Sequence, residues 1–420
     1  MRILYLTTEF VLPADRGSRV RTLAQLRVLS SLPAVTGIRL FFLREDDAPA
    51  DREALAREVP KIEVRDPVFH PIHLFRHPRY VPRVVWLRAA RGIPYLAGKW
   101  DSRAIRERLE RELADGTFDV VWLNGLGIAH YLPLVRRWQP RARVVLDGHN
   151  VESDRFAQFA RRQHGIKRLV AEAESRAALR FERDVLRSVD AVGAISDDDA
   201  RAYRAFAGIE ALTVPQVVAP AYPRERDDDG QRLCWIGNLT WDPNARGLTW
   251  FCEQAWPFVR ERLPNATFEI AGSGLRTGRS GAPIAPPSWG VPGVTVLGFV
   301  DDLGPLYERS TAMAAPLLGG AGIRIKLLEA FRHGLPVVTT PDGAAGLPII
   351  PGREAFVESE AGAFAARVVE LLTSRRARAR LRDAGYAFVG RHNGLASAQA
   401  AVSRLLGADY ALAPAAIAER

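Results

Sequence analysis

Two cations and a carboxylate follow a glycine pair at fixed spacing in the segment Gly319-Gly320-Ala321-Gly322-Ile323-Arg324-Ile325-Lys326-Leu327-Leu328-Glu329-Ala330-Phe331. The apolar positions after the glycines recur at helical spacing, which predicts a glycine-rich turn opening into a helix over 323–333. Backbone N–H groups at such a helix start are free to hold an anion, and the macrodipole favours negative charge there. Arg324 and Lys326 add full positive charge at the same end. Glu329, one turn on, is placed to accept hydrogen bonds from neutral hydroxyls such as those of a ribose. Phosphate plus diol describes a nucleotide. The competing reading is a surface pair between Lys326 and Glu329, worth roughly 0.2–0.5 kcal/mol. Two features favour the nucleotide. Lys326 is one of four lysines, with Lys61, Lys99 and Lys167, in a chain that otherwise uses arginine. An apolar strand, Leu335 to Thr340, follows the helix at once.

The elements that must position these residues alternate strand and helix from end to end, the pattern of parallel α/β sheets. In the first half strands are expected at Ile3–Thr7, Gly37–Phe42, Phe118–Leu123, Val144–Asp147 and Ala191–Ile195. Helices are expected at Val20–Ser30, Ala104–Leu113, Ile128–Trp138 and Arg155–Ser188. Val214 to Gln231, with Pro215, Pro220, Pro223 and the acidic run Asp227–Asp229, predicts a linker. The cycle then restarts, with strands from Leu233, Phe268, Val294, Ala312, Val337 and Ala355 and helices between them. The expectation is an α/β chain of two doubly wound Rossmann-like domains, 1–218 and 219–395, facing across a cleft where strand C-termini bind ligands.

Composition narrows the class. The chain has 420 residues, too many for one small core, with 47% hydrophobic and 25% charged residues, as in a soluble enzyme. Two cysteines, Cys234 and Cys252, exclude a disulfide framework and predict buried thiols in a reducing compartment. Met1 to Leu6 predicts a first strand rather than a signal segment, and no apolar run reaches the roughly 18 residues that span a bilayer. A cytoplasmic protein is expected. The net charge of +10 asks for an anionic partner. Nucleic acid is not expected, because no zinc-finger, helix-turn-helix or aromatic RNA-binding signature is present. The segment from His70 to Trp100 interleaves Arg76, Arg79, Arg83, Arg88, Arg91 and Lys99 with Phe75, Tyr80, Trp86, Tyr95 and Trp100, which suits the inner face of a cell membrane. An arginine-rich habit spread over the whole chain is the alternative. No metal is expected: Asp197–Asp199 and Asp227–Asp229 read as a helix cap and a solvated linker, and no Cys/His ligand pattern occurs.

Beyond the signature helix, the second half contains Ile236-Gly237-Asn238, Pro243-Asn244, Ile270-Ala271-Gly272-Ser273-Gly274 and Gly298-Phe299-Val300-Asp301-Asp302. The first half contains Asp147-Gly148-His149-Asn150-Val151-Glu152-Ser153 and Ala194-Ile195-Ser196. With these motifs nearly the whole chain resembles the GT-B glycosyltransferases of family 4, which are retaining and use nucleotide-sugar donors. The resemblance implies that Glu329, the second glutamate of the family's paired motif, binds the ribose hydroxyls. The first glutamate falls at Ala321, so the chain looks like the subgroup with a glycine-rich turn there, whose amides from Gly320 through Gly322 to Ile323 meet the donor. The usual arginine after Gly237 falls at Asn238, which leaves diphosphate charge to Arg324 and Lys326, with Arg246 near the family's basic position. Val300 matches the nucleobase loop, Gly17 the glycine turn after the first strand, and His149 the active-site histidine. Residues 396–420 would form the helix that crosses back onto the first domain.

What the resemblance implies is transfer of a sugar from a nucleoside diphosphate to a hydroxyl acceptor, without cofactor or metal, in envelope or exopolysaccharide assembly. A lipid-linked glycan is the acceptor that the basic aromatic segment suggests. Two rivals stand beside it: a sugar-nucleotide epimerase of the same architecture, and a non-catalytic nucleotide-binding scaffold. A nicotinamide dehydrogenase is disfavoured, because Gly272-Ser273-Gly274 lacks a third glycine and a following helix.

Overall fold

Strands and helices alternate as the sequence requires, and in the computed structural model the strands form two wholly parallel sheets. The structure describes residues 1–14, 17–44, 50–70, 81–161, 163–218, 230–278, 281–320 and 324–407. The chain divides into two units, Met1–Val217 with Leu395–Arg420, and Val218–Gly394.

The first unit holds β1 (Arg2–Thr7), β2 (Gly37–Arg44), β3 (Ile62–Val64), β4 (Val68–Phe69), β5 (Val120–Asn124), β6 (Arg143–Gly148), β7 (Ala191–Ala194) and β8 (Leu212–Thr213). Their order is β3-β2-β1-β5-β6-β7-β8, with β4 on β2. Side chains alternate between two cores. Leu4 and Leu6 of β1 and Val121 and Leu123 of β5 enter one, while Ile3, Tyr5, Val120 and Trp122 enter the other. Both faces are therefore apolar, as a parallel sheet covered by helices demands. Helix Leu395–Leu405 closes the second of these cores with Ala398, Val402 and Leu405. It is tied down where Arg143 donates to the Leu405 carbonyl at 2.7 Å and Gln399 to Ser31 Oγ at 2.9 Å.

The second unit holds β9 (Arg232–Ile236), β10 (Thr267–Ala271), β11 (Val294–Gly298), β12 (Ala312–Ala315), β13 (Val337–Thr339) and β14 (Phe356–Val357), in the order β11-β10-β9-β12-β13-β14. In each unit the strand order reverses beside the first strand, between β1 and β5 and between β9 and β12. Ligands of open α/β sheets bind outside the strand C-termini at such reversals. Thr7 and Asn124 end the flanking strands in the first unit, and Gly237 follows β9 in the second.

Four expectations are corrected. The single helix expected over Arg155–Ser188 is two, Glu152–Arg161 and Gly165–Ser188, and Gly165 takes the left-handed φ of +56° that restarts the chain. Ile128–Trp138 begins as a 3-10 segment, Leu126–Tyr131, and turns α-helical at Leu132. The helix expected between the strands from Leu233 and Phe268 contains a π-helical turn, Phe251–Ala255, between helices Asp242–Trp250 and Trp256–Arg262. The short strands β3, β4 and β8 were not expected, being two or three residues long and without room for a periodic signal.

Glycine is required where helix Asp242–Trp250 meets the chain after β12: a Cβ on Gly247 would lie 1.9 Å from the Pro316 carbonyl oxygen. Gly247→Ala should cost about 2–3 kcal/mol or more, because backbone must move. Gly362→Ala, in helix Ala361–Thr373 with open space around it, should be neutral or stabilise by about 0.4–1 kcal/mol. Thermal unfolding of the two variants checks the contrast.

Candidate active site

In the second unit the site is built from the turn after β9 upward. Asn238 Oδ1 accepts from the amides of Thr240 at 2.9 Å and Trp241 at 3.1 Å, folding the turn that leads into helix Asp242–Trp250. Asn244, in that helix, donates to the Asn238 carbonyl at 2.7 Å and accepts from Lys326 Nζ at 2.8 Å. Across the turn, the Gly272 backbone is so near that a Cβ there would lie 1.7 Å from the Gly237 carbonyl oxygen. A Cβ on Gly237 would in turn lie 2.9 Å from Lys326 Nζ. Glycine at 272 thus lets the two turns meet, and glycine at 237 leaves room for the lysine.

Lys326 sits in the first turn of helix Ile325–Arg332, and its ammonium lies 4.0 Å from the centroid of the Trp235 ring. The ring face and one amide oxygen are a thin substitute for water around an ammonium. Part of the side chain still reaches solvent, yet burial of the amine, with the nearby Arg324 charge adding to it, pushes its pKa well below the usual lysine range. No acidic side chain among the described residues pairs with it.

Arg324 is differently employed. Its guanidinium is 3% exposed and donates to the Gly320 carbonyl at 2.9 Å and the Asp342 carbonyl at 3.1 and 3.2 Å. Asp342 in turn accepts from the Gly319 amide at 2.6 Å. Arginine and aspartate between them hold the chain at Gly319 and Gly320, and burial lowers the Arg324 pKa. Gly322 and Ile323 lie outside the described residues. Glu329, one turn beyond Lys326, accepts from Arg332 at 3.1 Å, and burial raises its pKa against the pull of that arginine. Val300, just after β11, packs beside the core containing Leu327 and Leu328. Arg246 is half exposed and pairs at 3.8 Å with Asp242, one turn back on its own helix.

The first unit gathers a buried polar network at its own strand ends. The β5–β6 register sets Asn124 beside Asp147. Arg21, 2% exposed on helix Gly17–Ser31, grips Asp147 with two nitrogens at 2.7 and 3.3 Å. Burial alone would raise the Asp147 pKa; the Arg21 charge, with His149 second, outweighs it and holds the carboxyl well below the usual range. His149 Nε2 lies 3.0 Å from Asp147 Oδ2 and 2.8 Å from Asn124 Oδ1. Both are acceptors, so Nε2 carries the proton and Nδ1 is the face left for another group. Asn124 Nδ2 is spent on Thr7 and Thr22, each at 3.0 Å, which fixes its amide. The Tyr5 hydroxyl, 2.9 Å from Asn124 Oδ1, completes the set. Gly17 begins the helix that carries Arg21 and Thr22.

Sequence reasoning did not assign roles to Arg21, Asn124, Trp235, Asn244 or Asp342. A signal existed for one pair: Arg21 and Gln25 are polar residues at i and i+4 among the buried Leu23, Leu26, Val28 and Leu29 of their helix. The basic aromatic segment is less free than its composition suggests. Residues 71–80 lie outside the described residues, Arg83 pairs with Asp101 at 2.8 Å, and Arg88 donates to the Ala173 carbonyl at 3.1 Å. Trp100 is buried, while Trp86 is exposed beneath Arg91. Among the described residues no three His, Cys, Asp or Glu side chains are grouped to hold a metal, and no helix is long and apolar enough to cross a membrane.

Two parallel-sheet α/β units, each with its site at a strand-order reversal, define the GT-B glycosyltransferase fold. Residues 230–374 match the family model described as glycosyl transferases group 1. A Klebsiella pneumoniae relative, described as an uncharacterized 44.6 kDa protein in cps region, is 21% identical over 376 residues, 88% of this chain and 90% of its own. Anabaena Alr3699/HepE, solved in complex with UDP and glucose, superposes with a TM-score of 0.64 at 13% identity, covering 97% of this chain and 99% of that one. A mutant of S. aureus TarM, solved with Fondaparinux, alpha-GlcNAc-glycerol and UDP, gives 0.67 at 9% identity, covering 97% and 100%. At these identities the structures establish the fold.

Two outcomes are expected. Asp147→Asn leaves Arg21 buried with no counter-charge and should cost about 3–5 kcal/mol. Because the native carboxyl is depressed, the pair stabilises fully above about pH 4 and fades as pH falls through the native value, so the variant should lack that part of the acid sensitivity. Lys326→Met removes a poorly solvated charge and should raise stability by about 1 kcal/mol at neutral pH. A lysine with a depressed native pKa binds fewer protons folded than unfolded, so the wild type should catch up as pH approaches about 10. Denaturant titrations across pH test both.

Proposed function

We propose that this protein is a retaining glycosyltransferase that moves a sugar from a nucleoside-diphosphate donor to a hydroxyl acceptor in cell-envelope or exopolysaccharide assembly. The observation that carries the reading is the Lys326 ammonium, held over Trp235 beside the glycine turn at the reversal point of the second sheet. Departure of the diphosphate leaves positive charge on the sugar and adds negative charge to the phosphate oxygens. A cation that is fixed and poorly solvated beforehand stabilises that change most, because it need not reorganise. In this account Lys326 meets the diphosphate, Arg324 holds the turn with Gly320 whose amides assist, and Glu329 takes the ribose hydroxyls. Gly237 and Asn238 shape the donor turn, and Val300 borders the base. His149 offers Nδ1 to the reacting sugar. The chemistry of these groups asks for no metal.

The group 1 family match over 230–374 supports a transferase, and the UDP in the HepE and TarM structures supports a nucleotide-sugar donor. The cps-region description of the Klebsiella relative supports a polysaccharide role. A cytoplasmic enzyme at the inner face of a membrane, with a lipid-linked acceptor, fits the charge of the first unit.

Product analysis with a panel of nucleotide sugars tests the reading. Transfer, or slow donor hydrolysis without acceptor, should release nucleoside diphosphate and a sugar of unchanged anomeric configuration, and EDTA should not slow it. Epimerised donor without transfer, or no turnover at all, would overturn it. Lys326→Met should lower kcat and kcat/KM together, since the cation matters most in the transition state. Glu329→Ala should keep its helix and lose about 1–3 kcal/mol of nucleotide affinity by calorimetry.

A further inference from the structure

The two helices that replace the expected single one form a hairpin whose tip is apolar and exposed. In helix Gly165–Ser188, Ile166 is 80% exposed, Leu169 65% and Val170 64%; Phe159, near the end of the preceding helix, is 56% exposed. The spacing i, i+3, i+4 is that of a buried helix face, yet among the described residues this one stays exposed. Exposed single hydrophobes are ordinary, but four large ones at one hairpin tip are not. Between Phe159 and Val170 the sequence has four arginines or lysines and no acid. Arg161, Lys167 and Arg168 are exposed, and Arg168 pairs with Glu172 at 2.7 Å on the next turn. Helix Val81–Arg91 reaches the same helix, where Arg88 donates to the Ala173 carbonyl, and it exposes Val85 and Trp86.

The base of the hairpin is as fixed as its tip is bare. Its first helix starts three residues after His149. Glu182, buried on the second helix, accepts from the amides of Glu152 at 2.9 Å and Ser153 at 3.0 Å, one oxygen to each. Tyr203 donates to the Asn150 carbonyl at 2.9 Å. The segment that carries His149 and the exposed tip are therefore one braced piece.

We propose that the tip of this hairpin, Phe159, Ile166, Leu169 and Val170 with Arg161, Lys167 and Arg168, is a docking surface that enters the headgroup layer of an anionic membrane. Apolar side chains interleaved with cations, with no acid between Phe159 and Val170, match an interface that is apolar below and negatively charged above. A protein partner of opposite charge would have to supply both features at once; a bilayer has them everywhere. The docking stands without the glycosyltransferase reading. Its purpose, bringing a lipid-linked acceptor to the piece that carries His149, rests on that reading.

Sedimentation with vesicles of phosphatidylcholine containing about a third phosphatidylglycerol tests it with the full chain. The wild type should bind them at low salt, bind pure phosphatidylcholine far less, and release as salt rises. Ile166→Ser, Leu169→Ser and Val170→Ser together should weaken binding at least about tenfold while thermal unfolding and donor hydrolysis stay at wild-type values. Lys167→Gln with Arg168→Gln should flatten the salt dependence. A wild type that ignores anionic vesicles overturns the proposal, as does a triple variant that binds them normally. So does a wild-type dimer that the triple variant abolishes, which would assign the tip to a second copy of the chain. Donor hydrolysis by the triple variant reports on the function separately, so either reading can fail alone.

Discussion

The second unit is organised around one imperfectly satisfied charge. Lys326 stands on Trp235 and leans on Asn244; a Cβ on Gly237 would crowd its ammonium, and one on Gly272 would strike the Gly237 carbonyl. An ammonium in that position weakens the fold, and its depressed pKa is the measure of the burden. The surroundings are correspondingly rigid: Asn238 folds its turn, Arg324 and Asp342 hold the glycine turn, and Gly247 brings a helix against the backbone at Pro316.

The first unit solves the opposite problem. There a charge is buried but fully met, Asp147 by Arg21 and His149. The pair fixes the tautomer of His149 and commits Arg21 to structure rather than to a ligand. Removing one partner is costly in such pairs, whereas the pair itself contributes little net stability. Its evident use is orientation, since Asn124 and Asp147 together leave His149 one way to sit.

The sheets were legible because both faces of each strand are covered, so continuous apolar runs mark β1, β5, β6 and β9 without ambiguity. The glycine turn and the Lys326–Glu329 spacing were legible because helix starts and cations have local signatures. Arg324 and Lys326 read alike in the sequence, but one is turned to the carbonyls of its own turn and the other to an aromatic face, a difference set by residues far along the chain. Asn124, Asp147 and Arg21 meet through strand register and helix packing, which no local pattern encodes. The hairpin was misread as one helix because Phe159, Ile166, Leu169 and Val170 keep a helical apolar rhythm without facing a core.

The central claim is that Lys326 and its glycine turn await a nucleoside diphosphate. Thermal unfolding of the wild-type chain with UDP-, GDP-, ADP- and TDP-sugars tests it most directly. A bound ligand at about 100 times its dissociation constant stabilises by roughly 2.7 kcal/mol. The account predicts a clear upward shift with at least one nucleotide and its loss in Lys326→Met. No shift with any of them, or an equal shift in the variant, would contradict it.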